Sequence, residues 1–174
     1  MSGRPVVITG FMGAGKTTVG RALAKLLGEA FIDLDDAVKE LEGRGPRELI
    51  DEEGEAYFRE AETRALSRVL ERGEARVVAA GGGAWTLARN RSLVAEHGCL
   101  SVWLDAPFDL CLRRIDTEGA RDSRPFARDT ERAARLFEER LAAYCQADLR
   151  VPVTSETSAE GLAAEIAAAL GAGG

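Results

Sequence analysis

Short apolar runs alternate along this chain with stretches of helical period. Pro5 to Thr9 is apolar and stops at Gly10, after which Lys16 to Leu27 sets Val19, Leu23, Leu26 and Leu27 on one helical face. Similar runs return at Phe31-Ile32-Asp33-Leu34, at Arg76 to Ala80, at Cys99 to Leu104 and at Leu149 to Val153. Helical stretches separate these five strand candidates. A parallel crossover needs a connection long enough to return to the starting edge, so the alternation predicts an α/β fold with helices on both faces of a parallel sheet. No internal repeat or second domain is visible, and the expectation is one domain over residues 1–174.

Two segments are longer than the pattern requires. Asp36 to Gly73 is broken at Gly43 to Pro46, which predicts two or three helices ending with the run Ala56 to Leu70. Ile115 to Arg128, rich in Asp, Arg, Gly and Ser, reads as a long mobile surface loop of the kind that serves as a lid. Ala163 to Leu170 predicts a terminal helix, and Gly171 to Gly174 should fray.

Composition narrows the function classes. Of 174 residues, 45% are hydrophobic and 30% charged, a balance that supports a folded core. The net charge of −6 has the wrong sign for a nucleic-acid binder. No stretch is apolar enough to span a bilayer, and the run into Val6 leaves no room for a signal peptide, so a cytoplasmic protein without membrane attachment is expected. Cys99, Cys111 and Cys145 cannot all pair within one chain and are expected to be reduced core thiols. His97, at an expected helix end before Gly98, is the only histidine, which removes zinc sites built on His pairs.

The most informative residues are Gly10-Phe11-Met12-Gly13-Ala14-Gly15-Lys16-Thr17, a GxxxxGK[ST] phosphate loop with the required strand before it and helix after it. Glycines let successive backbone N–H groups point inward, and the helix that follows adds the positive end of its dipole. Lys16 can reach the β and γ phosphates, while the Thr17 hydroxyl suits a Mg²⁺ ion bridging them. The chain has no NKxD-like guanine reader and no Asp-Glu pair after Leu104, so a small kinase is favoured over a GTPase switch or a hydrolysing ATPase.

Alternation along the second strand would put the Asp33 and Asp35 carboxylates on one side, beside the phosphates, with Asp36 the better candidate to cap the next helix. One acid could hold a metal-bound water and the other accept a hydroxyl proton. Gly81-Gly82-Gly83 either turns tightly or lets backbone N–H groups approach a ligand. By pattern alone Arg59 is an ordinary solvated helix charge, and 20 of the 23 basic residues are Arg, a bias that weakens any single Arg as a signal.

Together these residues resemble the shikimate kinases, a P-loop family related to the nucleoside monophosphate kinases. The resemblance rests on GFMGAGKTT, on Asp33-Leu34-Asp35, on Gly54 to Glu62 as GExxFRxxE, on Gly81-Gly82-Gly83, on Arg124-Pro125, and on Arg140 to Tyr144 as RxxxY. It implies a three-layer α/β/α fold of P-loop NTPase type around a five-stranded parallel sheet, with substrate-binding helices over about 33–62 and a lid over about 115–128. It also implies transfer of the ATP γ-phosphoryl to the 3-hydroxyl of shikimate, a step towards chorismate and the aromatic amino acids, by a monomeric Mg²⁺-dependent enzyme.

Carried over by motif, Gly13, Ala14, Gly15, Lys16, Thr17 and Thr18 would bind the nucleotide phosphates, with Thr17 and Asp33 at the metal. Asp35 would serve as base, while Arg59, Arg140, Gly82 and Gly83 would grip shikimate. Arg124 would close over the phosphates. Arg114 would stack on adenine, with Arg113 beside it as the alternative. Departures from the family pattern are Leu34 between the acids, Phe126 and Ala127 in the lid, Ala143 before Tyr144, and Trp85 after the glycines. Competing readings are a gluconate-type carbohydrate kinase and a catalytically silent nucleotide-binding module.

Overall fold

A computed structural model describes residues 3–117 and 129–172. It has five strands, β1 (Val6–Thr9), β2 (Phe31–Asp33), β3 (Val77–Ala79), β4 (Leu100–Asp105) and β5 (Leu149–Pro152), all parallel and ordered β2-β3-β1-β4-β5. The described helices are α1 (Lys16–Leu27), α2 (Leu34–Glu42), α3 (Pro46–Glu53), α4 (Glu55–Arg72), α5 (Gly82–Thr86), α6 (Ala88–Glu96), α7 (Phe108–Thr117), α8 (Thr130–Tyr144) and α9 (Ala159–Ala172).

All of β1 is enclosed, and successive strand residues point to opposite faces, so both faces of the central sheet are covered. This explains why β1 and β3, at the middle of the sheet, read as apolar runs instead of alternating. From β1 the chain passes over β3's position to reach β2, then returns to β3 and later crosses to β4 on β1's other side. The reversal opens a crevice beyond the carboxyl end of β1, where such sheets bind ligands. The phosphate loop leaves β1 at that end. The glycine triplet leaves β3 next to it, in a register that pairs Ile8 with Ala79.

Four expectations need correction. Strand β2 stops at Asp33, and Leu34 already begins α2, because Asp33 caps that helix by accepting the Asp35 N–H at 3.0 Å. Residues 115–117 continue α7 instead of starting the loop. Ile115 is 1% exposed beside Cys111, an i,i+4 apolar pair that the surrounding arginines and aspartates obscure in sequence. Helix α9 begins at Ala159, a turn before the Ala-rich run. Cys145 is exposed, and only Cys99 and Cys111 are core thiols. His97 does end a helix, as the C-cap of α6.

Candidate active site

The phosphate loop is a curled backbone held from beneath. Gly10, Gly13 and Gly15 all have positive φ, and Gly15 caps α1 in the left-handed conformation. A Cβ at Gly13 would lie 2.5 Å from the Cys111 carbonyl oxygen, so α7 is packed against the loop too closely for any side chain there. Lys16 Nζ donates to the Gly10 and Phe11 carbonyls, both at 2.9 Å. Arg114 donates to the Ala14 carbonyl at 3.0 Å, whereas Arg113 pairs with Asp109 on the exposed side of α7. Of the two adjacent arginines, only Arg114 faces the loop.

At the start of α1, Thr17 Oγ1 donates to Asp33 Oδ2 at 2.6 Å, joining the loop to the end of β2. Asp33 Oδ1 accepts from the Asp35 backbone, so Asp33 is a helix cap and a loop partner at once. Asp35 stands in the first turn of α2, not on the strand as alternation implied. The cap still brings both acids to one place. They line a single cavity of about 750 Å³ with Lys16, Thr17, Arg59, Glu62, the Gly81 to Gly83 triplet and Arg140. Helix α3 supplies the outer rim through Pro46, Arg47, Glu48 and Ile50.

Helix α4 places Arg59 by its own periodicity. Its buried stripe runs through Phe58, Ala61, Glu62, Ala65, Leu66 and Val69, and Arg59 sits at the edge of that stripe, 18% exposed. Its guanidinium pairs with Glu62 one turn on and with Glu55 at 3.3 Å. A Cβ at Gly83 would displace the Arg59 guanidinium, which occupies the space it would fill. A Cβ at Gly82 would overlap the Tyr144 hydroxyl, and that Cβ would lie 2.7 Å from the Gly10 carbonyl oxygen and 3.3 Å from Arg140 Nη1. The triplet therefore gives close backbone approach, and it opens the short helix α5 instead of forming a simple turn.

That platform is braced on three sides. Trp85 Nε1 donates to the Ala143 carbonyl at 2.9 Å, tying α5 to the helix that carries Arg140. Asn90 donates to the Ala84 carbonyl at 2.8 Å, and Arg91 to those of Trp85 and Thr86. Trp85 is thus part of the wall's support, and its large ring is absorbed into the core at 3% exposure.

Glu62 was not singled out from the sequence. Its signal was present: an acid on the apolar stripe of α4, three residues after Arg59. Burial raises its carboxyl to about 7 despite the neighbouring Arg59 charge, and the Asp35 charge pushes the same way. Arg59 is held above its ordinary value because the Glu62 and Glu55 charges outweigh the opposing cost of burial. Arg124 and most of the expected lid lie outside the described residues.

Among known proteins, the family pattern described as Shikimate kinase matches residues 12–171. The chain belongs to the shikimate kinase family. A shikimate kinase from Geobacter sulfurreducens is 44% identical over 165 residues, covering 95% of this chain and 90% of that one. One from Ruegeria pomeroyi is 40% identical over 170 residues, covering 96% and 85%. The solved shikimate kinase from Acinetobacter baumannii in complex with shikimate superposes with a TM-score of 0.87 at 32% identity, covering 99% of this chain and 95% of that one. An APS kinase from Mycobacterium tuberculosis, 22% identical with a TM-score of 0.63, shares the fold. Shikimate kinases thus share the five-stranded parallel α/β architecture of this chain.

Proposed function

We propose that the chain transfers the γ-phosphoryl group of ATP to the 3-hydroxyl of shikimate, giving ADP and shikimate 3-phosphate. The observation that carries this reading is the single cavity lined together by a phosphate-loop lysine, two arginines and a pair of aspartates. The family relation supports shikimate as the substrate. The Acinetobacter neighbour was solved with shikimate, and the cavity here presents two guanidiniums suited to that molecule's carboxylate.

The backbone N–H groups of Gly13, Ala14, Gly15, Lys16, Thr17 and Thr18 surround the phosphates, and Lys16 leaves its loop carbonyls to meet the β and γ oxygens. Arg114, already against the loop, is the one that reaches adenine. Arg59 and Arg140 fork onto the shikimate carboxylate while the Gly82 and Gly83 backbone bears on the ring, which turns one hydroxyl towards the phosphate chain. Asp35 accepts the hydroxyl proton as that oxygen bonds to phosphorus and the bridging P–O bond breaks towards ADP. Catalysis is then chiefly orientation and charge.

Mg²⁺ fits this site through Thr17 and Asp33, a hydroxyl and a carboxylate oxygen already adjacent. Among the described residues no cluster of three or more acidic, His or Cys groups could cage a metal, as suits an ion that keeps waters and takes its other ligands from phosphate. When bound it neutralises charge on the phosphate oxygens. The proposed working form is a cytoplasmic monomer, because one chain supplies every group named above and its described cysteines are all free thiols.

A coupled assay of ADP release tests the reaction. Release should require shikimate and ATP together. ADP formation with gluconate and none with shikimate would reassign the substrate, and none with either would leave a nucleotide-binding module.

A further inference from the structure

Tyr144, the last residue of α8, has a hydroxyl that the reaction above does not use. The residue is 0% exposed; the Arg140 guanidinium lies beside its oxygen as a donor, and its O–H finds no acceptor. Trp103 stacks on the ring with centroids 5.9 Å apart, so the phenol is fixed in direction. Burial pushes it up to about 12, which keeps the oxygen protonated and able to donate. A buried donor left without an acceptor is costly, and such groups in native folds call for a reason.

The surroundings of that oxygen supply one. The space a side chain at Gly82 would take is bordered by the Tyr144 hydroxyl, the Gly10 carbonyl oxygen and Arg140 Nη1. Gly10 is buried, and its carbonyl accepts from Lys16 Nζ at 2.9 Å. An ammonium that moves to the phosphates strips this enclosed carbonyl of a strong donor at the moment the loop must hold its shape. A waiting hydroxyl borders the same space at Gly82.

We propose that Tyr144 is a positioning residue whose hydroxyl takes over the Gly10 carbonyl when Lys16 turns to the nucleotide. It steadies the phosphate loop from the acceptor side, one helical turn from Arg140. The proposal rests on the reading of Lys16 as a phosphate ligand.

The test is a four-protein cycle on the full chain: wild type, Tyr144→Phe, Lys16→Met and the double variant, each followed by thermal unfolding without nucleotide and by calorimetric titration with ADP. In the wild-type background Tyr144→Phe should leave the melting temperature unchanged or raise it, because it removes a donor that has no acceptor. In the Lys16→Met background, where the hydroxyl serves the carbonyl from the start, the same change should lower it by about 2 to 4 °C. In the Lys16 protein Tyr144→Phe should weaken ADP roughly 2- to 10-fold while shikimate affinity measured alone stays nearly constant. An equal fall in melting temperature in both backgrounds would mark a merely structural phenol and overturn the proposal. Coupling in the thermal cycle with unchanged ADP affinity would overturn it through its premise, showing that Lys16 stays on the loop when nucleotide binds.

Discussion

Replacing Arg59 by Ala separates two roles that the guanidinium combines. It is one of two arginines facing the acceptor, and it is also the counter-charge of Glu62, whose side chain is 2% exposed. A charge-assisted contact to a carboxylate contributes about 2 to 3 kcal/mol, so losing it should raise the KM for shikimate roughly 30- to 150-fold. The KM for ATP should change little, since the Arg59 guanidinium is bonded to Glu62 and Glu55 on its own helix.

Stability responds differently. Stripping the partner from a buried charge costs about 3 to 5 kcal/mol when the charge persists. Here Glu62 escapes by taking a proton, because its carboxyl already titrates near 7. The variant should therefore unfold nearly like wild type at about pH 6 and be clearly weaker at about pH 8.5. Urea unfolding at both pH values and steady-state kinetics measure the two effects side by side. Adding Glu62→Gln should restore stability at high pH without restoring the shikimate KM. Recovery of the KM in the double variant would refute the reasoning, since Arg59 would then matter only as a neutraliser of Glu62.

Three further outcomes follow from the same geometry. Glu62 has a raised carboxyl, so the folded chain binds more protons than the unfolded one between about pH 4.5 and 7, and stability falls as pH rises through that window, by up to about 3 kcal/mol. Glu62→Gln should flatten the slope in pH-dependent denaturation. Asp35→Asn should lower kcat by about 10²- to 10⁴-fold with only a small change in either KM, and an unaltered kcat would remove Asp35 as base. Gly83→Ala displaces the movable end of Arg59 and should raise the shikimate KM alone. Gly82→Ala meets the backbone carbonyl of Gly10 at 2.7 Å and should impair both substrates and stability, as kinetics and thermal melts of the pair will show.

The sequence carried the strands well because parallel strands covered on both faces need apolar runs, and β1 and β3 are such runs. The phosphate loop was legible for a related reason: its glycines, Lys16 and Thr17 act within a few residues of one another. The acceptor side was harder. Arg59, Gly83 and Arg140 lie on three elements brought together by tertiary packing, and no local period announces it. Family resemblance singled them out, and the structure places them around one cavity. Asp35 lines the cavity for a reason other than strand alternation, since it stands in the first turn of a helix capped by Asp33. Glu62 went unmarked because an acid in an arginine-rich helix reads as solvated until its burial is known.

The β1–β3 register has a practical corollary for anyone wishing to alter what this scaffold phosphorylates. Adjacent strands carry the donor loop and the glycine platform, so remodelling either will disturb its neighbour. Pro46–Glu53 borders the same chamber from a helix outside the sheet, capped at its two ends by Gly45 and Gly54. Selectivity libraries confined to that rim can vary the guest while leaving the engine untouched.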